Sequence, residues 1–570
     1  MKKLTILIMA VVMVLALLAA CVPEPGESTP IKPIETIEPA ASVETPSGAY
    51  LTPNPVEESM PIYGGVMRVG YYIPRTFDGH QYAGYGPTAQ LPVFNQLVIL
   101  NPEYKEWVLE NLVGDLAESW ETSEDGMEIT FKLRQGVKWH DGVPFTANDV
   151  IYSLDKMNDV NRSAISDWFP AYESTEKIDD YTVKVHLKYP SASFLLTLAQ
   201  GESQIQALHL AGTDAQSLEF MVGTGPFIIT EYRPQVNIKY ERNPDYWKKD
   251  QYGNQLPYLD GVEFYNSTFA AAQDALISRR LDMLGPISGA GRLDVYQYLV
   301  EGAPELLFQR RDRYSGSIIY LNTKHPPLDD IRVRRALGLV LVEEDLIIGY
   351  ANDAMFGKPG VGILHQDFGL PEEEINELMG WDKPYEERVA EAQQLMADAG
   401  YPDGFKLNVL TIETTEASAG ATLVFAEALR SKLNVDVSIG SGMGQIELMK
   451  RLDEDNYDTY TCMTNFSNFS LLDTYFGTTG YANWSRYSNP ELDKMLAELD
   501  SVIDPDERRE AIWAIERVLL TDLPALPTGC YIPNYIPYYP YVKNPRWSNV
   551  TYPNICRMED IWIDESLRPK

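Results

Sequence analysis

The chain has 570 residues, more than one hydrophobic core ordinarily serves, so two or three folded units are expected, with room for a cleft between them. Its composition, 45% hydrophobic and 23% charged, is that of a globular protein and excludes a disordered chain or one embedded in a membrane beyond one short segment. Acidic residues outnumber basic ones by 82 to 47, a formal net charge of -35 that repels nucleic acid and makes it a poor partner, while a solubilising surface explains the acidity without any substrate.

The chain begins with Lys2 and Lys3, an apolar run from Leu4 to Leu18, and then Ala19, Ala20 and Cys21. A charged start, an apolar run short for a bilayer span and small residues before a cut site make residues 1–20 an expected signal peptide. The tetrad Leu18-Ala19-Ala20-Cys21 resembles the bacterial lipobox, so Cys21 is the expected lipidation site, with two acyl chains holding the mature protein at a bilayer. Behind it, Pro23, Pro25, Pro30, Pro33, Pro39, Pro46, Pro53 and Pro55 stand among acidic and small polar residues. Such a stretch buries too little surface to fold and reads as a tether over 21–61, with a reach on the order of 100 Å at about 3.1 Å per residue.

Mixed strand and helix signals follow. Met127, Ile129, Phe131 and Leu133 alternate with polar residues, as do Tyr181, Val183, Val185 and Leu187, which predicts two half-buried strands. In Trp139-His140-Asp141-Gly142 the Asp-Gly pair predicts a turn, and neighbouring His140 and Asp141 on a strand would point to opposite faces, which argues against an acid–base pair. Thr146 with Asp149 three residues on predicts a capped helix whose apolar stripe is Val150, Ile151, Leu154 and Met157. Gly223-Thr224-Gly225-Pro226 lacks the Lys-Ser/Thr pair of a phosphate loop, so a tight chain reversal is expected there. Asp329 and Asp330 before Ile331-Arg332-Val333-Arg334-Arg335 read as helix-end electrostatics and surface ion pairs.

A helix ending near Ala399-Gly400 leads through Pro402-Asp403-Gly404 to a strand with Leu407 and Val409. Gly440-Ser441-Gly442-Met443-Gly444 misses the third glycine of a dinucleotide fingerprint and reads as a loop. Asn489-Pro490 and Asp504-Pro505 each predict a helix start. Lobes built on sheets flanked by helices are the expected architecture. Cys462 stands apart, and the sequence leaves open whether Cys530 and Cys556 are bridged. The six histidines are scattered and no CxxC occurs, so neither a metal nor another cofactor is expected.

The stretch Leu116–Met157, LAESWETSEDGMEITFKLRQGVKWHDGVPFTANDVIYSLDKM, closely resembles the signature of family 5 extracellular solute-binding proteins, the oligopeptide, dipeptide and nickel-binding group. GTGPFIITEYRPQVNIKYERNPDYW from Gly223, YLNTKHPPLDDIRVRRAL from Tyr320 and YSNPELDKMLAEL from Tyr487 agree, in the order the family shows. The resemblance implies an α/β, two-lobed periplasmic-binding-protein-like fold (type II, cluster C) with an additional domain in the first lobe. Carried over by motif, the first lobe is 62–96 plus 206–316 plus 529–570, the additional domain 97–205 and the second lobe 317–528. Strands crossing near Tyr320-Leu321-Asn322 and near Cys530-Tyr531 would form the hinge.

The function implied is capture of a solute, peptide by family, for ABC permease subunits energised by a separate ATPase. The protein would be a lipid-anchored monomer on the outer face of the cell membrane or in the periplasm, and not an enzyme. In the family's peptide binders the segment after the Tyr-Asp strand carries a Trp and, shortly after, an aspartate for the peptide's amino terminus. Here the segment after Tyr457-Asp458 reads Thr459 to Ser470 without an acid, which favours a neutral polyhydroxylated ligand such as an oligosaccharide as the rival cargo. Asn465, Phe466, Asn468, Phe469 and Trp484, with Tyr320 and Asn322 at the crossing, are the candidate ligand contacts. A secreted hydrolase is the alternative of another class; it would need a facing pair of carboxylates that no single sequence displays.

Overall fold

The computed structural model describes residues 60–570 except 72, 74–75, 82–88, 102–107, 268, 286–291, 312–314, 360–361, 365–367, 412–415, 441–444, 466–468, 470, 532, 546–557 and 570. The expected signal peptide, Cys21, nearly all of the tether, Cys556 and most of the 440–444 loop therefore lie outside the described residues.

Three sheets organise the described chain. The first has seven strands in the order Leu307–Arg311, Asn534–Tyr538, Met283–Leu284, Val66–Gly70, Gly261–Tyr265, Asn237–Arg242 and Phe227–Arg233. Its central strand Val66–Gly70 runs parallel to both neighbours and buries Met67 and Val69, which share one face, completely, while Val66 and Arg68 on the other face are partly exposed. Helix Phe269–Ile277 packs on it.

The second sheet has six strands in the order Lys358–Pro359, Ala525–Tyr531, Ser315–Leu321, Thr459–Asn465, Lys406–Thr411 and Asp436–Gly440. Helices Glu343–Ala351, Tyr385–Asp398, Glu416–Leu433 and Pro505–Asp522 are among those around it. Two of them meet backbone to backbone: a Cβ added at Gly420 would lie 1.8 Å from the carbonyl oxygen of Gly349.

The third sheet is antiparallel, in the order Ala117–Thr122, Glu128–Leu133, Thr182–Leu187 and Tyr172–Asp179, with helix Ala147–Met157 beside it. The alternation read from the sequence holds, since Ile129, Phe131, Leu133, Val183, Val185 and Leu187 are all buried. The capping signals hold as well. The Asp149 carboxylate accepts the Thr146 amide at 2.9 Å, Asn489 accepts from the amides of Glu491 and Leu492, and Asp504 from those of Asp506 and Glu507.

The chain passes between the first and second sheets between Arg311 and Ser315 and again between Tyr531 and Asn534, because Arg311 pairs with Asn534 in the first sheet while Gly316 pairs with Tyr531 in the second. The first passage thus lies before the expected Tyr320-Leu321-Asn322 crossing. Tyr320 is fixed inside the second sheet, paired with Tyr460 on one side and Ala525 on the other.

Two sequence motifs also prove to be one device. His140 accepts the Gly223 amide at Nδ1 (3.2 Å), and its Nε2 lies 3.0 Å from the Gly225 carbonyl oxygen, so the Asp-Gly turn docks on the glycine segment. The chain bends over Thr224–Pro226, where a tight reversal was expected. The segment's glycines permit close backbone approach, a Cβ at Gly223 falling 1.8 Å from the Val93 carbonyl oxygen, while Gly225 donates its amide to the same oxygen at 2.8 Å. Asp141 turns the other way, to His209 at 2.7 Å.

Candidate ligand-binding site

The sequence candidates gather in two places. Strand Thr459–Asn465 ends at Asn465, which pairs with Ser315, where the passage from Arg311 ends. Asn465 therefore stands at the end of this second-sheet strand nearest the junction with the first sheet. Phe466 and Asn468 lie outside the described residues, as does the side chain of Asn465. Phe469 is buried, and the guanidinium of Arg508 sits over its ring at 5.6 Å.

Tyr320 and Trp484 form the second group, about 17 Å away along the strand at roughly 3.4 Å per residue. Tyr320 is wholly buried, and Trp484 stands edge-on to Tyr320 (5.3 Å between ring centres) and to Tyr460 (5.1 Å), with Tyr475 at 5.6 Å. These contacts follow from strand register: Tyr320 and Tyr460 are direct partners, so both rings project from one face and the half-buried indole closes over them. Burial drives the hydroxyls of Tyr460 and Tyr475 well above the usual tyrosine range, with the buried Cys462 nearby adding to it, so both remain neutral. The cluster offers aromatic faces and uncharged hydroxyls.

Asn322 has a different occupation. Its amide nitrogen donates to Asp455 Oδ1 at 2.8 Å and to the Tyr457 carbonyl at 3.2 Å, and its oxygen accepts from the Lys324 amide. The nearby acids are engaged too: Asp458 accepts the Asn408 amide at 2.7 Å and faces His325, while Asp455 pairs with Arg486 at 3.1 Å. The structure groups Tyr320 with Trp484, sets Asn322 as a brace between a loop and a strand, and holds Asn465 apart from both. Among the described residues no group of His, Cys, Asp and Glu is arranged to hold a metal ion, and no helix is long and apolar enough to cross a membrane.

Sequence reasoning missed the seam between the third sheet's unit and the second sheet's unit. There the Asp500 carboxylate accepts from the Ser191 hydroxyl at 2.7 Å and from the Ser193 amide at 2.9 Å, and the Asp500 carbonyl accepts the Ala192 amide at 2.8 Å. Ser191-Ala192-Ser193 before Phe194 is a readable cap signal, but its partner lies 307 residues on from Ser193 and has no local trace.

The description "Bacterial extracellular solute-binding proteins, family 5 Middle" matches residues 111–485, well over half of the chain. Di/tripeptide-binding protein 2 of Pseudomonas aeruginosa is 30% identical over 425 residues, covering 68% of this chain and 73% of its own. The periplasmic binding protein DppA from Helicobacter pylori, solved with the peptide STSA, superposes with a TM-score of 0.70 at 22% identity over 88% of this chain and 99% of its own. AgaA from A. tumefaciens R10, solved with agropinic acid, gives 0.71 at 23% identity over 88% and 99%. These two likenesses establish the fold, the two-lobed mixed α/β fold of periplasmic binding proteins. The relatives are solute-binding proteins rather than enzymes. The chain belongs to the bacterial extracellular solute-binding proteins of family 5.

Proposed function

We propose that this chain is the capture component of an ABC importer, a lipoprotein held at Cys21 that closes two lobes over a solute and delivers it to permease subunits driven by a separate ATPase. The observation that carries the reading is that the chain passes twice between the two large sheets, from Arg311 to Ser315 and from Tyr531 to Asn534, in a chain whose family is one of solute-binding proteins. In this reading 62–96, 206–311 and 534–570 form the first lobe, 97–205 the additional domain and 315–531 the second lobe, the sheet pairings moving the expected boundaries at 316/317 and 528/529 to the passages. Ligand favours the closed form by its differential affinity, and the permease reads that form. The protein binds without turnover, at the outer face of the membrane or in the periplasm.

The cargo is of peptide class, as for the Pseudomonas aeruginosa relative's di- and tripeptides. The segment from Thr459 to Ser470 favours a second reading, a neutral hydroxyl-rich cargo such as an oligosaccharide, because it carries no carboxylate to pair with a buried ammonium. The residues from Asn465, beside the junction of the two sheets, to Phe469 would contact either, with the aromatic group at Trp484 about 17 Å along the strand. A thermal-shift screen separates the two. Melting raised by di- and tripeptides supports the peptide cargo; melting raised by neutral oligosaccharides alone transfers the assignment to the second reading; no shift with either class sinks both. Ligand recovered chemically changed after long incubation would overturn the non-enzymatic reading. The anchor is tested by fatty-acid labelling in cells, which Cys21→Ala is expected to abolish.

A further inference from the structure

The seam at Asp500 has the features of a built fastening. Asp500 follows helix Pro490–Leu499, and its side chain is nine-tenths buried against a segment whose sequence lies about three hundred residues away. Both carboxylate oxygens and the backbone carbonyl are used, on three successive residues, Ser191, Ala192 and Ser193. The Ser191 hydroxyl also accepts the Phe194 amide at 3.2 Å, which fixes the turn that presents these donors. Phe194 packs edge-on to Phe169 at 5.9 Å, so the turn is anchored in its own unit. A carboxylate meeting an amide and a hydroxyl makes charge-assisted bonds, stronger than their neutral counterparts, and the backbone carbonyl adds a third, neutral bond from the Ala192 amide. The seam continues beyond these bonds: burial pushes the Tyr189 hydroxyl up to about 12, with Asp500 and Asp473 of the other unit adding to it.

We propose that Asp500 and the Ser191–Ser193 turn form an intramolecular latch that holds the additional domain against the second lobe, so that closure is set partly by a protein–protein contact and not by ligand alone. This rests on the reading of two lobes that open and close. The open form must leave the Asp500 carboxylate and the amides of residues 192 and 193 to water, an exchange that costs little, so the latch biases the equilibrium without locking it.

The test needs no ligand, and its failure is therefore separate from a failed cargo screen. Nitroxide labels on ketone-bearing residues introduced at Glu176 and Lys494, both exposed and one on each unit, report the distance across the seam by pulsed electron resonance. The unmodified protein is expected to show mainly a short distance. Asp500→Ala is expected to raise the ratio of long to short populations roughly tenfold, and Ser191→Ala to raise it less, in the same direction. Circular dichroism verifies folding, and should Asp500→Ala fail to fold, Ser191→Ala alone decides. Distance distributions indistinguishable from the unmodified protein in every folded variant would overturn the latch.

Discussion

Asp282 is wholly buried, yet it is surrounded by cations. Arg68 reaches it through Nε and Nη2 and its own amide, Arg568 through Nη2, and the Tyr541 hydroxyl donates at 3.0 Å. One carboxylate thus ties the first strand of the first sheet to the C-terminal segment. Asp282→Ala would leave two guanidinium groups facing each other across a void, with an expected loss on the order of 3 kcal/mol, checked as a shift in urea midpoint. Glu516 is also buried. Its carboxylate accepts the amides of Leu364 at 2.9 Å and Leu370 at 2.7 Å, and burial raises its pKa from 4.5 to about 7. Because the folded value lies above the unfolded one, its contribution is fully present below pH 4.5 and is lost as pH rises through about 7. His140 runs the opposite way: burial lowers it to about 4, so its contribution is present above pH 6.5 and is lost as pH falls toward 4. Comparing variant with unmodified protein separates the two. In Glu516→Gln the melting temperature is expected to fall less between pH 5 and pH 7.5 than in the unmodified protein, and an equal fall in both would refute the assignment.

At the scale of elements, the close meeting of helices Glu343–Ala351 and Glu416–Leu433 depends on Gly349 and Gly420. A methyl at Gly420 meets the Gly349 backbone rather than a movable side chain, so Gly420→Ala is expected to cost about 1–3 kcal/mol by forcing the helices apart, despite alanine's better helix propensity. Differential scanning calorimetry checks the sign, which a propensity argument alone would reverse. What was legible in the sequence follows the same division between local and remote. The caps at Thr146, Asn489 and Asp504 and the alternation around Ile129 and Val183 depend on residues a few positions apart, and all were readable. The strand Val66–Gly70 was not, because both its neighbours, Gly261–Tyr265 and Met283–Leu284, arrive from some two hundred residues away. The docking of His140 on Gly223 was hidden for the same reason, although each motif was visible by itself. Of the candidate ligand contacts, Trp484 was expected near Asn465 but packs on Tyr320 and Tyr460, because no local signal says that Asn465 stands at the other end of that strand.

For the molecule as a whole, the rings flanking the passages decide how tightly the two large sheets are coupled. Tyr296 and Phe308 pack at 4.9 Å on the first-sheet side, Phe356 comes from the segment leading into the second sheet, and it contacts Tyr296 at 5.9 Å and Tyr535 at 5.6 Å. Asn352 adds a hydrogen bond to Asp294 at 3.1 Å beside them. Phe356 is completely buried, so its ring is held from both sides. Two covalent passages alone would let the sheets unfold as separate units, whereas an aromatic cluster spanning them makes the loss of one expose the other's apolar surface. Phe356→Ala is therefore expected to do two things. It should destabilise by about 3–5 kcal/mol, as large-to-small core changes do, and it should split calorimetric unfolding into two resolved transitions. Gly420→Ala, which acts within one unit, should lower stability without creating that split. A Phe356→Ala melt that moves down in temperature as one transition, like that of Gly420→Ala, would mean that coupling between the sheets resides elsewhere, with the Asp500 seam the next place to look.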